Sequence, residues 1–206
     1  MDFTRPVEAV IPDAQGRILA VLSRTTGELN ITTLAELSGV SLAHAARVVP
    51  RLVEFGMVER REAPPSVLVR IVPEHLAVRP LLALAGLRDA LLEELDRSAR
   101  RIRPAPANIT LFGSVARGDG DAASDIDLVI VRAAGVTEDD PTWDRAVAAW
   151  VERIGRVTGN PVNRIEVGIN EVPRLARSRA ALWRAVRREG IVIFGRSLDD
   201  LARRSA

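Results

Sequence analysis

Apolar residues recur along the chain at two spacings, one typical of amphipathic helices and one typical of half-buried strands. Up to residue 73, these patterns predict three helices and three short strands. The predicted helices are residues 13–23, a helix that opens at Thr33 with a capping threonine, and residues 41–55, which Ser41 caps and Gly56 ends. The predicted strands are residues 29–32, 57–61 and 67–72.

A stripe of leucines follows this first part of the chain. The stripe recurs every three or four residues and predicts one long helix from His75 to Arg103. Its apolar members are Leu81, Leu84, Leu87, Leu91 and Leu95. The Pro-Ala-Pro segment at residues 104–106 then marks a domain boundary.

The remaining residues alternate between strands and helices. The predicted strands are residues 109–112, 126–131, 162–169 and 191–194, and the predicted helices are a short one after Gly113, residues 143–157, and residues 175–188. We therefore expect a mixed α+β or α/β protein with a small mixed sheet in its C-terminal part. The predicted domains are residues 1–73, a linking helix over residues 74–103, and residues 104–206.

Composition narrows the class of protein. The chain has 206 residues, of which 47% are hydrophobic, and its length suits two small domains with real cores. No apolar run is long enough to cross a membrane. Cysteine is absent, which predicts a cytoplasmic location without disulfides or thiolate metal sites. The two histidines, His44 and His75, are too few for a histidine metal cluster.

The charge balance gives little support to wholesale nucleic-acid binding. All 29 basic residues are arginine, and the net charge is only +2. Residues 1–73 hold eight arginines and eight acids, so this part of the chain is neutral. The high isoelectric point reflects the high pKa of arginine as much as an excess of charge.

The densest candidate chemistry lies between residues 111 and 131. An apolar strand ends at Gly113-Ser114, and a second strand begins after a polar stretch with Asp125 and Asp127. Because side chains alternate along a strand, the two carboxylates point to the same side and repel each other. A divalent cation relieves this repulsion, and hard oxygen ligands suit Mg²⁺. Gly113 lets the backbone approach a ligand closely, as a nucleotide phosphate requires.

This segment resembles the signature of the polymerase-beta-like nucleotidyltransferase superfamily, and within it the minimal nucleotidyltransferases. The resemblance is carried by Gly113-Ser114, the turn over residues 115–118 and the block over residues 124–128, with weaker support from residues 189–195. It implies that Asp125 and Asp127 bind Mg²⁺, that Gly113 and Ser114 hold the phosphates of ATP, and that a third carboxylate from a later strand completes the metal site. Glu166 is our candidate for that third carboxylate, with Glu171 as a weaker substitute. Arg117 is a candidate for a phosphate contact.

The first 73 residues resemble a winged helix-turn-helix domain, with residues 34–62 as its core. Such domains present exposed polar side chains of one helix to DNA bases and use the wing to contact phosphates. The candidate DNA-binding residues are Ser41, His44, Arg47, Arg51, Arg60 and Arg61. Pro50 lies inside the third helix and is expected to kink it. DNA binding, dimerisation and docking of a protein partner all remain open for this domain.

The resemblance implies a Mg²⁺-dependent enzyme that transfers AMP from ATP to a hydroxyl group of a protein. Minimal nucleotidyltransferases often serve as antitoxins that modify HEPN-type ribonuclease toxins, and the winged domain could then recognise the toxin or the promoter DNA of their operon. The alternative is a transcription regulator whose nucleotidyltransferase domain senses nucleotide or is inert. Modification of a small molecule such as an aminoglycoside is a minor third option.

Overall fold

The computed structural model describes residues 1–204 and divides into two compact units. One unit is formed by Arg5–Leu87, and the other by Met1–Thr4 together with the chain from Arg88 onward. Within the described residues, no helix is both long and apolar enough to cross a membrane.

The unit formed by Arg5–Leu87 is built mainly from helices around a small antiparallel sheet. Its elements are α1 (Pro6–Val10), α2 (Asp13–Arg24), β1 (Leu29–Asn30), α3 (Ile31–Ser38), α4 (Leu42–Glu54), β2 (Val58–Ala63), β3 (Ser66–Ile71) and α5 (Val78–Ala85). The strand order is β1-β3-β2, and β2 and β3 form an antiparallel hairpin. Ile18, Leu34 and Leu52 are fully buried where α2, α3 and α4 meet. The predicted order of helices, turn and hairpin is confirmed.

The helix caps explain where α3 and α4 begin. The Ser41 side chain accepts a hydrogen bond from the His44 backbone N–H at 3.2 Å, so Ser41 caps α4 as predicted. The predicted cap at Thr33 is wrong, because α3 begins two residues earlier. Asn30 Oδ1 accepts from the Thr33 N–H at 2.7 Å and supplies the acceptor that this helix start needs. Pro50 lies inside α4, and the helix continues on both sides of it.

The prediction of one long helix over residues 75–103 is wrong. The chain forms α5 and then α6 (Leu87–Ala99), with a break at Gly86. The Gly86 N–H still bonds to the Leu82 carbonyl oxygen at 3.0 Å, but its backbone leaves helical geometry. The two helices belong to different packing units. The leucine spacing runs through the break, and for that reason the sequence pattern did not reveal it.

The second unit packs helices on a four-stranded mixed sheet. Its further elements are β4 (Asn108–Phe112), α7 (Gly113–Arg117), β5 (Ile126–Arg132), α8 (Pro141–Thr158), β6 (Val162–Gly168), a 3-10 turn (Ile169–Glu171), α9 (Val172–Ala176), α10 (Ala181–Glu189), β7 (Ile191–Gly195) and α11 (Leu198–Arg204). The strand order is β6-β5-β4-β7. Strand β4 is antiparallel to β5 and β7, whereas β5 and β6 are parallel. The predicted small mixed sheet is confirmed.

The two faces of this sheet bury different residues. On one face, Val129 and Val131 of β5 pack with Val167 of β6 and with Trp183 of α10. Side chains alternate along a strand, so Asp127 lies on this same face, at the start of β5. The opposite face carries the fully buried Leu128 and Ile130 of β5.

The predicted helix over residues 175–188 is also wrong, because the structure divides it into α9 and α10. The backbone of Ala180 is extended, with a ψ of 143°, which ends the helical path before α10 begins. Arg187 of α10 donates to the carbonyl oxygens of Leu175 at 3.2 Å and Ser178 at 2.8 Å, and so links α10 to the segment before the break. Asp140 caps α8 as predicted, accepting from the backbone of Thr142 at 2.8 Å.

Candidate active site

A glycine turn brings the end of β4 against the start of β5. Phe112, the last residue of β4, pairs with Asp127 across the antiparallel ladder. Gly113 then turns the chain with a φ of 77°, a backbone conformation that residues other than glycine rarely adopt. A Cβ atom at this position would lie 2.5 Å from Asp127 Oδ2. Any larger residue here would strain the backbone and push this carboxylate out of its place.

Asp125, Asp127 and Asn163 form a polar cluster at this edge of the sheet. Both carboxylates are half-buried, and Asn163 is exposed. Asn163 Nδ2 donates to Asp125 Oδ2 at 2.9 Å and to Asp127 Oδ1 at 3.2 Å. The same-side arrangement of the two aspartates that the sequence predicts is therefore present, and one amide bridges them.

The electrostatics of the pair favour a positively charged ligand. Burial raises the pKa of Asp127 above its ordinary value, and the neighbouring charge of Asp125 acts in the same direction. The hydrogen bond from Asn163 and the charge of Arg117 lower this pKa in part. The raised pKa means that the folded protein does not fully offset the free-energy cost of ionising the Asp127 carboxylate.

Ser114 and Arg117 lie on α7, directly after the glycine turn. Among the described residues, the Ser114 hydroxyl makes no hydrogen bond, so it is free to bind a ligand. Arg117 is already engaged: its Nη1 donates to Glu189 at 2.9 Å and its Nε donates to Asp119 at 3.2 Å. A phosphate contact by Arg117 would need these ion pairs to open.

Glu166 does not join the aspartates. In the parallel register, Asp127 pairs with Asn163, and Glu166 pairs with Ile130 three residues further along. Glu166 therefore projects from the opposite face of the sheet. There it accepts a hydrogen bond from Trp143 Nε1 at 2.7 Å and pairs with Arg164 at 2.9 Å. The expectation that Glu166 completes the metal site is wrong, because the pairing of β6 with β5 places Glu166 on the face of the sheet opposite to Asp127.

Glu171, the weaker substitute, is also occupied elsewhere. Its carboxylate accepts from the Gly168 backbone N–H at 2.7 Å and closes the 3-10 turn that follows β6. Across residues 1–204, no group of three or more acidic, histidine or cysteine side chains is arranged to hold a metal ion. The cluster thus offers the oxygens of two carboxylates, which suit a hard divalent cation such as Mg²⁺, while Asn163 turns its amide N–H groups towards them.

Sequence reasoning missed Asn163 as a site residue. Its place follows from the pairing of β6 with β5, and the sequence does not encode that register in any local pattern. The available signal was the alternation of side chains along a strand. Asn163 and Glu166 are three residues apart on one strand, so only one of them can lie on the face that carries the aspartates. Nothing local indicated which one.

The candidate DNA-binding residues of α4 lie on an exposed face. Ser41, His44, Arg47 and Arg51 are all exposed. Arg47 and Arg51 form no ion pair with any residue of the described chain. These two arginines are therefore free to meet an anionic partner.

The two arginines of the wing, unlike those of α4, form ion pairs with acidic residues. Arg60 pairs with Glu62 at 2.7 Å, and Arg61 forms an ion pair with Glu28. The hydrogen bond to Arg61 lowers the pKa of Glu28. Since these acids neutralise both wing arginines, the wing offers less free positive charge than the sequence suggested.

Comparison with protein families matches both parts of the chain. Residues 92–179 match the nucleotidyltransferase domain, a span that includes the glycine turn, both aspartates and Asn163. Residues 16–62 match the IclR helix-turn-helix domain, from within α2 through most of β2. Together, the matches confirm both resemblances inferred from the sequence.

Solved structures with similarity to the chain include a toxin-antitoxin with AMP-PNP and two mutants of the toxin-antitoxin MntA-HpeT. The first is 21% identical, covers 55% of this chain and 82% of its own, and gives a TM-score of 0.39. The two mutants are 18% and 21% identical with TM-scores of 0.39 and 0.37, cover 55% of this chain, and match over 82% and 80% of their own length. No curated protein matches the chain.

Proposed function

We propose that this chain, a nucleotidyltransferase domain preceded by an IclR-type helix-turn-helix domain, transfers AMP from ATP to a hydroxyl group of a protein. The observation that carries this proposal is the geometry of the glycine turn. It places the free Ser114 hydroxyl and the paired carboxylates of Asp125 and Asp127 at one edge of the sheet. A triphosphate needs both a donor surface for its oxygens and a site for its accompanying cation, and this edge offers both.

In the proposed reaction, the acceptor oxygen forms a bond to the α-phosphorus, the bond from that phosphorus to the bridging oxygen breaks, and pyrophosphate leaves. Asp125 and Asp127 would hold Mg²⁺, which supplies positive charge near the phosphate oxygens when it is bound. Ser114 and the backbone N–H groups of the turn would orient the β- and γ-phosphates. Within the described chain, no third carboxylate lies beside the pair, so we assign the proton of the acceptor hydroxyl to water.

We further propose that the acceptor is a HEPN-type toxin and that the protein is its antitoxin. The support is the likeness of the Gly-Ser and Asp-x-Asp elements to minimal nucleotidyltransferases, for which this role is common. The helix-turn-helix domain would then bind the toxin or the promoter DNA of the operon. The free arginines of α4 favour an anionic partner.

The test is transfer of label from ATP. Purified full-length protein is incubated with Mg²⁺, ATP labelled at the α-phosphate, and the product of the adjacent gene. We expect label on the acceptor protein and none after Asp125→Asn plus Asp127→Asn. Label at the γ-phosphate must not transfer. Labelling that survives in the double variant would contradict the proposed site.

The alternative function, a transcription regulator with an inert nucleotidyltransferase domain, predicts a different result. It requires sequence-specific promoter binding by the wild type and no transfer to any acceptor. The exposed, unpaired Arg47 and Arg51 are the observation in its favour. Both outcomes can be measured on the same preparation.

A further inference from the structure

An amide lies where the family resemblance implies a carboxylate. Asn163 is the β6 residue directly beside Asp127, and it is the neighbour that contacts both aspartates. The acid on the same strand, Glu166, projects from the other face of the sheet and is held by Trp143 and Arg164. The third position of the cluster is therefore neutral in this chain.

Without a bound metal ion, the amide of Asn163 reduces the repulsion between the two carboxylates, as a cation would. Its Nδ2 carries two protons, and it lies 2.9 Å from an oxygen of Asp125 and 3.2 Å from an oxygen of Asp127. Two donated hydrogen bonds offset the repulsion between the carboxylates, which would otherwise spread apart. The pair is thus held together before any cation binds.

The same arrangement weakens the attraction for a cation. A neutral amide contributes no charge to the site, whereas a carboxylate at this position would add one negative charge within a few ångströms. To approach the aspartates, a cation must also displace the amide N–H groups, or the amide must rotate to present Oδ1. Both effects disfavour binding relative to a site with three acids.

We propose that Asn163 bridges the two aspartates in the metal-free protein and keeps the affinity of the site for divalent cations low. This inference deepens the proposed function and rests on its assignment of the metal site to Asp125 and Asp127. In this role, Asn163 is a positioning residue. On this proposal, the site binds a divalent cation weakly until nucleotide phosphates contribute further ligands.

The first test is calorimetric titration of Mn²⁺ alone into the full-length protein. Asn163→Asp should tighten Mn²⁺ binding by about tenfold or more, since it adds one negative charge beside the cation. Glu166→Gln is the matched control, because it removes a negative charge from the same strand on the opposite face. It should leave the affinity within about twofold of wild type. Unchanged affinity in Asn163→Asp, or a loss in Glu166→Gln as large as that gain, would overturn the inference.

The second test is thermal unfolding with EDTA or with saturating Mn²⁺. In EDTA, Asn163→Asp and Asn163→Ala should each melt about 2–4 °C below wild type, because the carboxylates lose their bridging donor. Adding Mn²⁺ should raise the melting temperature of Asn163→Asp more than that of wild type. Equal melting temperatures of all three proteins in EDTA would contradict the bridging role.

The two proposals can fail separately. If the wild type transfers no label to any acceptor but Asn163→Asp still binds Mn²⁺ more tightly, the proposed transfer reaction fails and the role of Asn163 stands. If the wild type transfers label and Asn163→Asp changes neither Mn²⁺ affinity nor melting in EDTA, the role of Asn163 fails and the transfer reaction stands.

Discussion

At the scale of single residues, the site depends on a glycine and an amide as much as on its acids. Gly113 allows a turn close to Asp127 without displacing its carboxylate, and Asn163 joins the two carboxylates. Neither residue brings reactive chemistry of its own. Each one affects where the carboxylates lie, and the proposed binding of a cation and a triphosphate depends on that placement.

Gly113→Ala is the sharpest test of the turn. The new methyl group would lie 2.5 Å from Asp127 Oδ2, so the carboxylate must move, and we expect transfer activity to fall about 100-fold or more. The positive φ of Gly113 also costs about 1–2 kcal/mol for any other residue. Steady-state transfer rates and urea unfolding on the same samples separate the two effects.

Gly159→Ala provides the control for that variant. Gly159 has a similar φ of 72°, but nothing lies within 4 Å of the position that a methyl group would take there. Its backbone strain should therefore match that of Gly113→Ala while Asp127 stays in place. Equal losses of activity in the two variants would show that strain, and not contact with the carboxylate, causes the effect.

At the scale of helices and strands, local patterns predicted elements well and predicted their pairing poorly. The glycine turn, the aspartate pair and the strands around them lie within about twenty residues, where alternation and turn chemistry suffice. Glu166 was misplaced because its face depends on the register of two parallel strands that α8 separates in sequence. The long helix and the last helix were each predicted as one, because apolar spacing continues across both breaks.

The contact between α6 and α8 gives a prediction about pH. Hydrogen bonds from Arg153 of α8, at 2.7 Å, and from Arg97 lower the pKa of Glu94 against the opposing effect of burial. A lowered folded pKa means that this stabilisation is present above the ordinary value of 4.5 and is lost as the pH falls through the folded pKa. Glu94→Gln should therefore lower the free energy of unfolding by about 1 kcal/mol at pH 7. The difference from wild type should disappear in urea unfolding well below pH 4.5, and a constant difference at all pH values would contradict it.

The exposed face of α4 gives a prediction about DNA. If this helix contacts promoter DNA, Arg47→Ala plus Arg51→Ala should weaken binding and reduce the slope of log affinity against log salt by about 2. Arg60→Ala plus Arg61→Ala should have a smaller effect, because both wing arginines already pair with acids. Fluorescence anisotropy with a promoter fragment at several salt concentrations measures both slopes. Equal reductions for the two pairs would show that the wing ion pairs open on binding.

At the scale of the whole molecule, the chain forms two compact units, and each contains one of the two family matches. The helix-turn-helix unit exposes unpaired arginines, and the nucleotidyltransferase unit holds the aspartate pair. This division agrees with the proposed function, in which one domain modifies a partner and the other recognises one. The family matches identify a helix-turn-helix domain and a nucleotidyltransferase domain. The sequence motifs alone had already indicated both domains.

The proposed function depends most directly on whether the aspartate pair binds a metal-bound triphosphate. Calorimetry with AMP-PNP, in Mg²⁺ and again in EDTA, measures this on the full-length protein. We predict binding by the wild type that requires Mg²⁺, a loss of about 100-fold or more in the Asp125→Asn plus Asp127→Asn variant, and unchanged binding in Glu166→Gln. Binding of equal strength in EDTA, or in the double aspartate variant, would contradict the proposed site.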